Sequence, residues 1–270
     1  MAVLDALGFR GIWKRRDAKA VLDRMKSIST ESKRLAEEVW TSDYQNREFG
    51  AWKAKDIVRL ETKVVHFSDS VIVCCESKPG PAFAHRPHEQ LRFGTSLELF
   101  SLNYLAFALS MIVAEGASEE PRFLYRGAVA AGSFWFEEPS SILGEAIDEA
   151  AASERMAEAA VVHYCESARR IFDDSQLWCP AVVKDYPVPV KGERTIRTHV
   201  VNPFATFPLV ARTLHPTHVR ECTHKAIVAL SAGILGFMDS EDSDVQAKRR
   251  NTEHFLRAAA AQIFFAPHDT

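Results

Sequence analysis

The chain has 270 residues, 47% of them hydrophobic and 26% charged, with a net charge of −3. This is ordinary globular composition, and the charge balance provides no basic field to recruit nucleic acid or an anionic membrane. Cysteines 74, 75, 165, 179 and 222 form no CxxC pair and no Cys/His ligand spacing; an odd count without a secretory leader fits a reducing cytoplasm and argues against zinc.

The opening "AVLDALGF" reads as a short strand, with Gly8 permitting a tight turn near its end. In the next segment Val21, Leu22, Met25, Ile28 and Leu35 approximate one helical face, with Asp17 as N-cap. A polar connector carries Tyr44, Phe49 and Trp52, which either pack in a core or dimer contact or stack on a planar ring. "IVRLETKVVHFSDSVIVCC" reads as two strands with a turn between His66 and Ser70. Adjacent Cys74 and Cys75 are strand filler and poor disulfide partners. The following loop holds His85 and His88 around Pro87, without metal-ligand spacing.

Leu97 to Gly116 is about long enough to cross a membrane, but Glu98, Asn103 and Glu115 interrupt or flank it. Thr95 and Glu98 stand at capping-box spacing, so a buried core helix is expected. "RFLYRGAVAAGSFWFEE" is strand-like, and its small residues allow close approach of backbone or ligand. An Ala/Glu-rich helix then runs through "GEAIDEAAASERMAEAA", and "VVHYCESARRIF" starts as a strand and turns helical. The β-α-β-β-α-β-α-β pattern predicts an α+β fold of the split βαβ kind, an antiparallel-containing sheet with helices on one face. Proline-broken strands and two helices follow, read as an extension (171–270) packed on a first unit (1–170).

Asp5 and Asp69 are acids in apolar strands or at their ends. A buried unpaired carboxylate costs several kcal/mol, so each either caps a turn, pairs with a nearby Arg or Lys, or shares a cation with the other. Mg²⁺ and Mn²⁺ take such hard oxygen ligands together with substrate phosphates. In "DALGF" a turn through Leu7, Gly8 and Phe9 aims backbone N–H groups at phosphate oxygens, and Arg10 adds a charge for the same triphosphate.

These segments carry a resemblance. "LDALGFRGIW" resembles the first metal-binding segment of class III nucleotidyl cyclases, F-x-D-I-x-G-F-[TS], and "FSDSVIVCC" resembles their second, I-G-D-x-x-[ML]. "YRGAVAAGSFWFEEPSSILGEAIDEAAASE" looks like the family's R-x-G-I-x-x-G … G-x-x-V-N-x-A-A-R-L-E, with Gly127, Gly132, Gly144, Ile147, Ala150, Ala151 and Glu154 in matching order. The likeness spans about Met1 to Ser167 and implies a ferredoxin-like cyclase domain. In it Asp5 and Asp69 would bind two Mn²⁺ or Mg²⁺ ions, helped by the Ala6 carbonyl, with active sites shared across a head-to-tail homodimer.

The departures narrow the reading. Val65 stands where purine cyclases carry a base-reading Lys or Glu, and Ser141 where they carry an Asp or Cys, so the purine hydrogen bonds are lost. Asp148 replaces the family's transition-state Asn and Ala152 its Arg; Arg155, placed on the same helical face, is a candidate substitute, or else pairs on the helix surface with Glu154 or Glu158. Arg126 and Arg10 are other candidates. The whole chain resembles the stand-alone pyrimidine cyclases of Pycsar anti-phage systems. That likeness implies UTP as substrate and cyclic UMP as product, with CTP and cyclic CMP second, and a separate effector that reads the product. A non-catalytic nucleotide-binding pseudo-cyclase and a metal-dependent phosphohydrolase are the rival readings.

Overall fold

The computed structural model describes residues 1–7, 17–39, 48–49, 52–67, 69–82, 97–137, 141–175 and 179–265. In chain order the elements are β1 (Ala2–Leu7), α1 (Ala18–Val39), the two-residue strands β2 (Glu48–Phe49) and β3 (Trp52–Lys53), α2 (Ala54–Ile57), β4 (Val58–Phe67), β5 (Ser70–Pro79), α3 (Leu97–Ser118) and β6 (Leu124–Val129). They continue with β7 (Trp135–Glu137), β8 (Ser141–Leu143), α4 (Glu145–Ser153), β9 (Val162–Tyr164), α5 (Glu166–Asp173), β10 (Val182–Val190), β11 (Arg194–Val201), α6 (Phe207–Leu214), α7 (Val219–Phe237) and α8 (Ser243–Phe265).

Seven strands form one mostly antiparallel sheet in the order β10-β11-β9-β6-β1-β5-β4. β1 lies between β5 and β6 and is antiparallel to both. The chain leaves β1 through α1 to reach β4, and leaves β5 through α3 to reach β6, so two crossovers interleave around β1. β9 then adds in parallel to β6. The fold is mixed, with helices packed on a mostly antiparallel sheet.

The local chemistry explains the main helices. Asp17 caps α1: its Oδ2 accepts the Ala20 N–H at 3.0 Å and its carbonyl accepts the Val21 N–H at 3.1 Å. Val21, Met25 and Ile28 are buried at helical spacing, whereas Leu22, expected on that face, is exposed. α3 is apolar nearly all round, and 78% of its most apolar window is buried inside the fold, as in a core helix.

Both faces of the sheet are covered, which corrects the expectation of helices on one face. Ala2, Leu4 and Ala6 of β1 pack in one core with α1, α3 and α5 residues. Val3 points the other way and packs with Cys74, Ala128, and Ala146 and Ala150 of α4. Apart from Asp5 and Arg126, β1 and β6 are apolar on both faces, and the small residues Ala128 and Ala130 leave room for α4 on the second.

The C-terminal hundred residues enter the same sheet through β11, which pairs with β9. β10 runs through Pro187 and Pro189 without breaking, because it is an edge strand where a missing N–H leaves no neighbour unsatisfied. α7 and α8 close a second apolar cluster with β10, β11 and the end of α3. The short helix α6 goes beyond the two helices expected in this region.

Candidate active site

The sheet register brings Asp5 and Asp69 together. Asp5 stands opposite Ser70 on β5, and the Ala6 N–H donates to the Asp69 carbonyl at 2.9 Å. Asp69 occupies the tight turn between β4 and β5, so it sits half-buried at the end of the hairpin beside β1. Asp5 is 8% exposed and shares its sheet face with Val3, since strand residues two apart point the same way. Val65 pairs with Ile72, and Ile72 with Val3, which places the half-buried Val65 on that face too.

Asp5 has a cationic neighbour. It pairs across the ladder with Arg126 of β6, whose Nη2 donates to Asp5 Oδ2 at 3.1 Å. The two side chains are 11% and 12% exposed, which makes this a nearly buried ion pair. The strands approach closely enough only because residue 127 is glycine: a Cβ there would lie 2.3 Å from the Val3 carbonyl oxygen.

Glu154 is a further acid near Asp5. Its side chain is 10% exposed, with Arg155 Nε at 2.9 Å from Oε1. Burial pushes its carboxyl above the usual carboxylate range and the nearby Asp5 charge adds to that, while Arg155 and Arg126 oppose it.

α4 is held at both ends. Gly144 caps its start with φ 135°, a conformation open to glycine, and a Cβ there would meet the Ser133 carbonyl oxygen at 2.4 Å. Glu149 Oε1 accepts the Ser167 N–H, and Ser167 Oγ in turn accepts the Ala131 N–H at 2.9 Å. The helix stops at Ser153, well short of the expected run through "ERMAEAA". Beyond it the backbone is captured by other elements. Ala157 bridges to Val190, the Glu158 N–H donates to the Pro189 carbonyl, and Asn251 Nδ2 donates to the Glu158 carbonyl. Arg155 therefore lies two residues beyond the end of α4. It is 64% exposed and pairs with Glu154, the surface pairing left open by the sequence.

The remaining expected residues divide as follows. Ala6 lies on β1 beside the Asp69 turn, and Leu7 ends that strand half-buried against Leu124. Asp148 is exposed in the first turn of α4, and Ser141 is exposed at the start of β8. Gly8, Phe9, Arg10, Tyr44, His85, His88 and the side chains of Phe49 and Trp52 lie outside the described residues. Cys74 and Cys75 are buried free thiols whose pKa burial pushes up to about 11.

Two features carried no sequence signal. The Asp5–Arg126 pair joins residues 121 positions apart, and only the strand register reveals it. A cavity of about 210 Å³ opens among Glu61, Lys63, Cys74, Glu76 and the segment 134–136. Lys63 Nζ lies 4.1 Å from the centroid of the Phe136 ring there. Cys74 is four residues along β5 from Ser70, so this cavity is about 13 Å from Asp5.

No protein-family model matches the chain, and no curated protein matches it. Among the described residues no group of three or more His, Cys, Asp or Glu side chains converges as a metal site. The donor chemistry suits a hard divalent ion: the backbones of two aspartates stand together at one sheet end, and the buried Asp5 has a positive charge beside it.

Proposed function

We propose that this protein is a pyrimidine nucleotide cyclase of the class III type. It converts UTP to cyclic UMP and pyrophosphate in the cytoplasm, and the product serves as a second messenger in anti-phage defence. CTP is the second candidate substrate. The observation that carries the reading is the meeting of Asp5 and Asp69 through the Ala6–Asp69 backbone hydrogen bond. The strand order β4-β5-β1-β6, antiparallel at each step, supports a ferredoxin-like catalytic core.

In this reading the ribose 3′-oxygen attacks the α-phosphorus and pyrophosphate departs. Asp5 and Asp69 would hold two Mn²⁺ or Mg²⁺ ions, with the Ala6 carbonyl as a further oxygen. When bound, such ions lower the pKa of the 3′-hydroxyl and offset charge on the leaving pyrophosphate. Leu7, Gly8, Phe9 and Arg10 supply N–H groups and a charge for the triphosphate. Val65 leaves a purine without its hydrogen-bond partner on that strand, and Ser141 does the same on β8. Asp148, exposed on α4, serves the site of a second copy in a head-to-tail homodimer.

Two observations favour a second reading, a nucleotide-binding domain without turnover. Arg126 occupies the Asp5 carboxylate, and Arg155 is bound to Glu154 beyond the end of α4. Incubation with ATP, GTP, CTP or UTP and Mn²⁺, with products identified by mass, separates the readings. A cyclic pyrimidine monophosphate supports the cyclase, linear mono- or diphosphates point to a phosphohydrolase, and binding without turnover points to the second reading.

A further inference from the structure

Arg126 uses little of its hydrogen-bonding capacity. A guanidinium carries five N–H donors. Among the described residues Arg126 Nη2 donates to Asp5 Oδ2, and its Nε is buried without a partner. The guanidinium thus has donors to spare for a second acceptor. Its bond to Asp5 also answers a need: Asp5 is buried, and without a counter-charge it would be costly to keep ionised.

A divalent ion on Asp5 changes that balance. It neutralises the carboxylate and repels the guanidinium beside it. The displaced side chain then needs another anion within reach. Glu154 lies one turn beyond Ala150, on the side of α4 that packs against Val3 and Ala128, and Asp5 and Arg126 share that sheet face; its side chain is buried, and both of their charges act on it. Its present partner, Arg155, is mostly in solvent and loses little by returning to water.

We infer that Arg126 is a resident counter-cation of Asp5 that a divalent ion displaces, and that Glu154 is a positioning residue that receives the guanidinium. The inference rests on the metal reading of Asp5 and Asp69 proposed above. It adds that the metal-free state is held folded by an internal cation, and that metal affinity is set by competition with it.

The test is Mn²⁺ binding to the full chain, followed by calorimetry and by loss of the free-ion paramagnetic resonance signal, without nucleotide. Arg126→Gln is expected to bind Mn²⁺ about tenfold more tightly than the unaltered protein, while melting lower without metal. Glu154→Gln is expected to bind about tenfold more weakly without melting lower. In the Arg126→Gln background, adding Glu154→Gln is expected to leave affinity unchanged. Equal or weaker binding by Arg126→Gln overturns the inference. So does a loss from Glu154→Gln of the same size in both backgrounds, which would make Glu154 a ligand. If Arg126→Gln does not fold, the neutral Arg126→Met takes its place, and equal or weaker Mn²⁺ binding by it overturns the inference. If the unaltered protein binds Mn²⁺ and Asp69→Asn does not, the metal reading stands whatever the Arg126 result. If the folded, unaltered protein binds no Mn²⁺, that reading and this inference fail together.

Discussion

Gly127→Ala tests the strand contact that sets the geometry around Asp5. The added Cβ would sit 2.3 Å from the Val3 carbonyl oxygen and 3.0 Å from the Leu4 Cα, both backbone atoms of a strand with neighbours on both sides. Relief requires β1 and β6 to separate by about 1 Å, across a ladder of six paired residues. Overpacking of this kind costs about 1–3 kcal/mol, and a rigid neighbour places the cost near the top of that range. For a chain of this size that corresponds to a fall in melting temperature of roughly 6–12 °C. Gly236→Ala is the matched control, because a Cβ there meets nothing within 4 Å. It lies near the end of α7 and is expected to be neutral or to gain up to about 1 kcal/mol from helix propensity. Thermal melts followed by circular dichroism read both variants. A Gly127→Ala melt within about 2 °C of the unaltered protein would refute the β1–β6 register and the Asp5–Arg126 pairing built on it.

Three further outcomes follow from the fold. Asn202 is fully buried, donates from Nδ2 to the Ala259 carbonyl at 3.1 Å and accepts the Phe204 N–H at 3.0 Å; Asn202→Ala should cost about 2–3 kcal/mol by urea unfolding. Burial holds the His163 imidazole at a pKa of about 4, against 6.5 when exposed. The unfolded chain therefore takes up this proton first as pH falls. The contribution is whole above pH 6.5 and is lost towards pH 4, by about 3 kcal/mol. His163→Gln should flatten the pH dependence of stability in that window, and an unchanged slope would contradict the assignment. Cys222 is the one cysteine of the five that is not buried, so it should react first with a thiol reagent at pH 8, and Cys222→Ser should abolish the fast phase.

The parts of the fold that follow from local pattern were readable in the sequence. Asp17 caps α1, the hairpin turns at Asp69, and α3 is a core helix, because capping, turn formation and apolar runs are local effects. The end of α4 was not readable. "AAASERMAEAA" has high helix propensity throughout, and the helix ends at Ser153 because β10 and α8 offer competing hydrogen bonds from remote positions. That same tertiary override leaves Arg155 outside α4. The second covered sheet face was hidden for a different reason. Alanines 128, 130, 146 and 150 make a tight helix–sheet contact without the large apolar residues by which a core is usually recognised.

At the candidate site, the two aspartates stood out as acids in apolar surroundings, and their meeting follows from strand order. Arg126 was only one of several candidate arginines, because its link to Asp5 depends on a register that no local pattern encodes. Glu154 stood in the sequence as a motif residue and a surface partner for Arg155. Its burial continues the stripe of Ala146 and Ala150, one turn further along the sheet-facing side of α4.

The central claim is tested most directly by mass analysis of UTP and Mn²⁺ incubated with the unaltered protein and, separately, with Asp69→Asn. The account predicts cyclic UMP and pyrophosphate from the first and neither from the second, with both proteins melting at similar temperatures. Absence of a cyclic product from every nucleoside triphosphate tried, or equal product from both proteins, would contradict it.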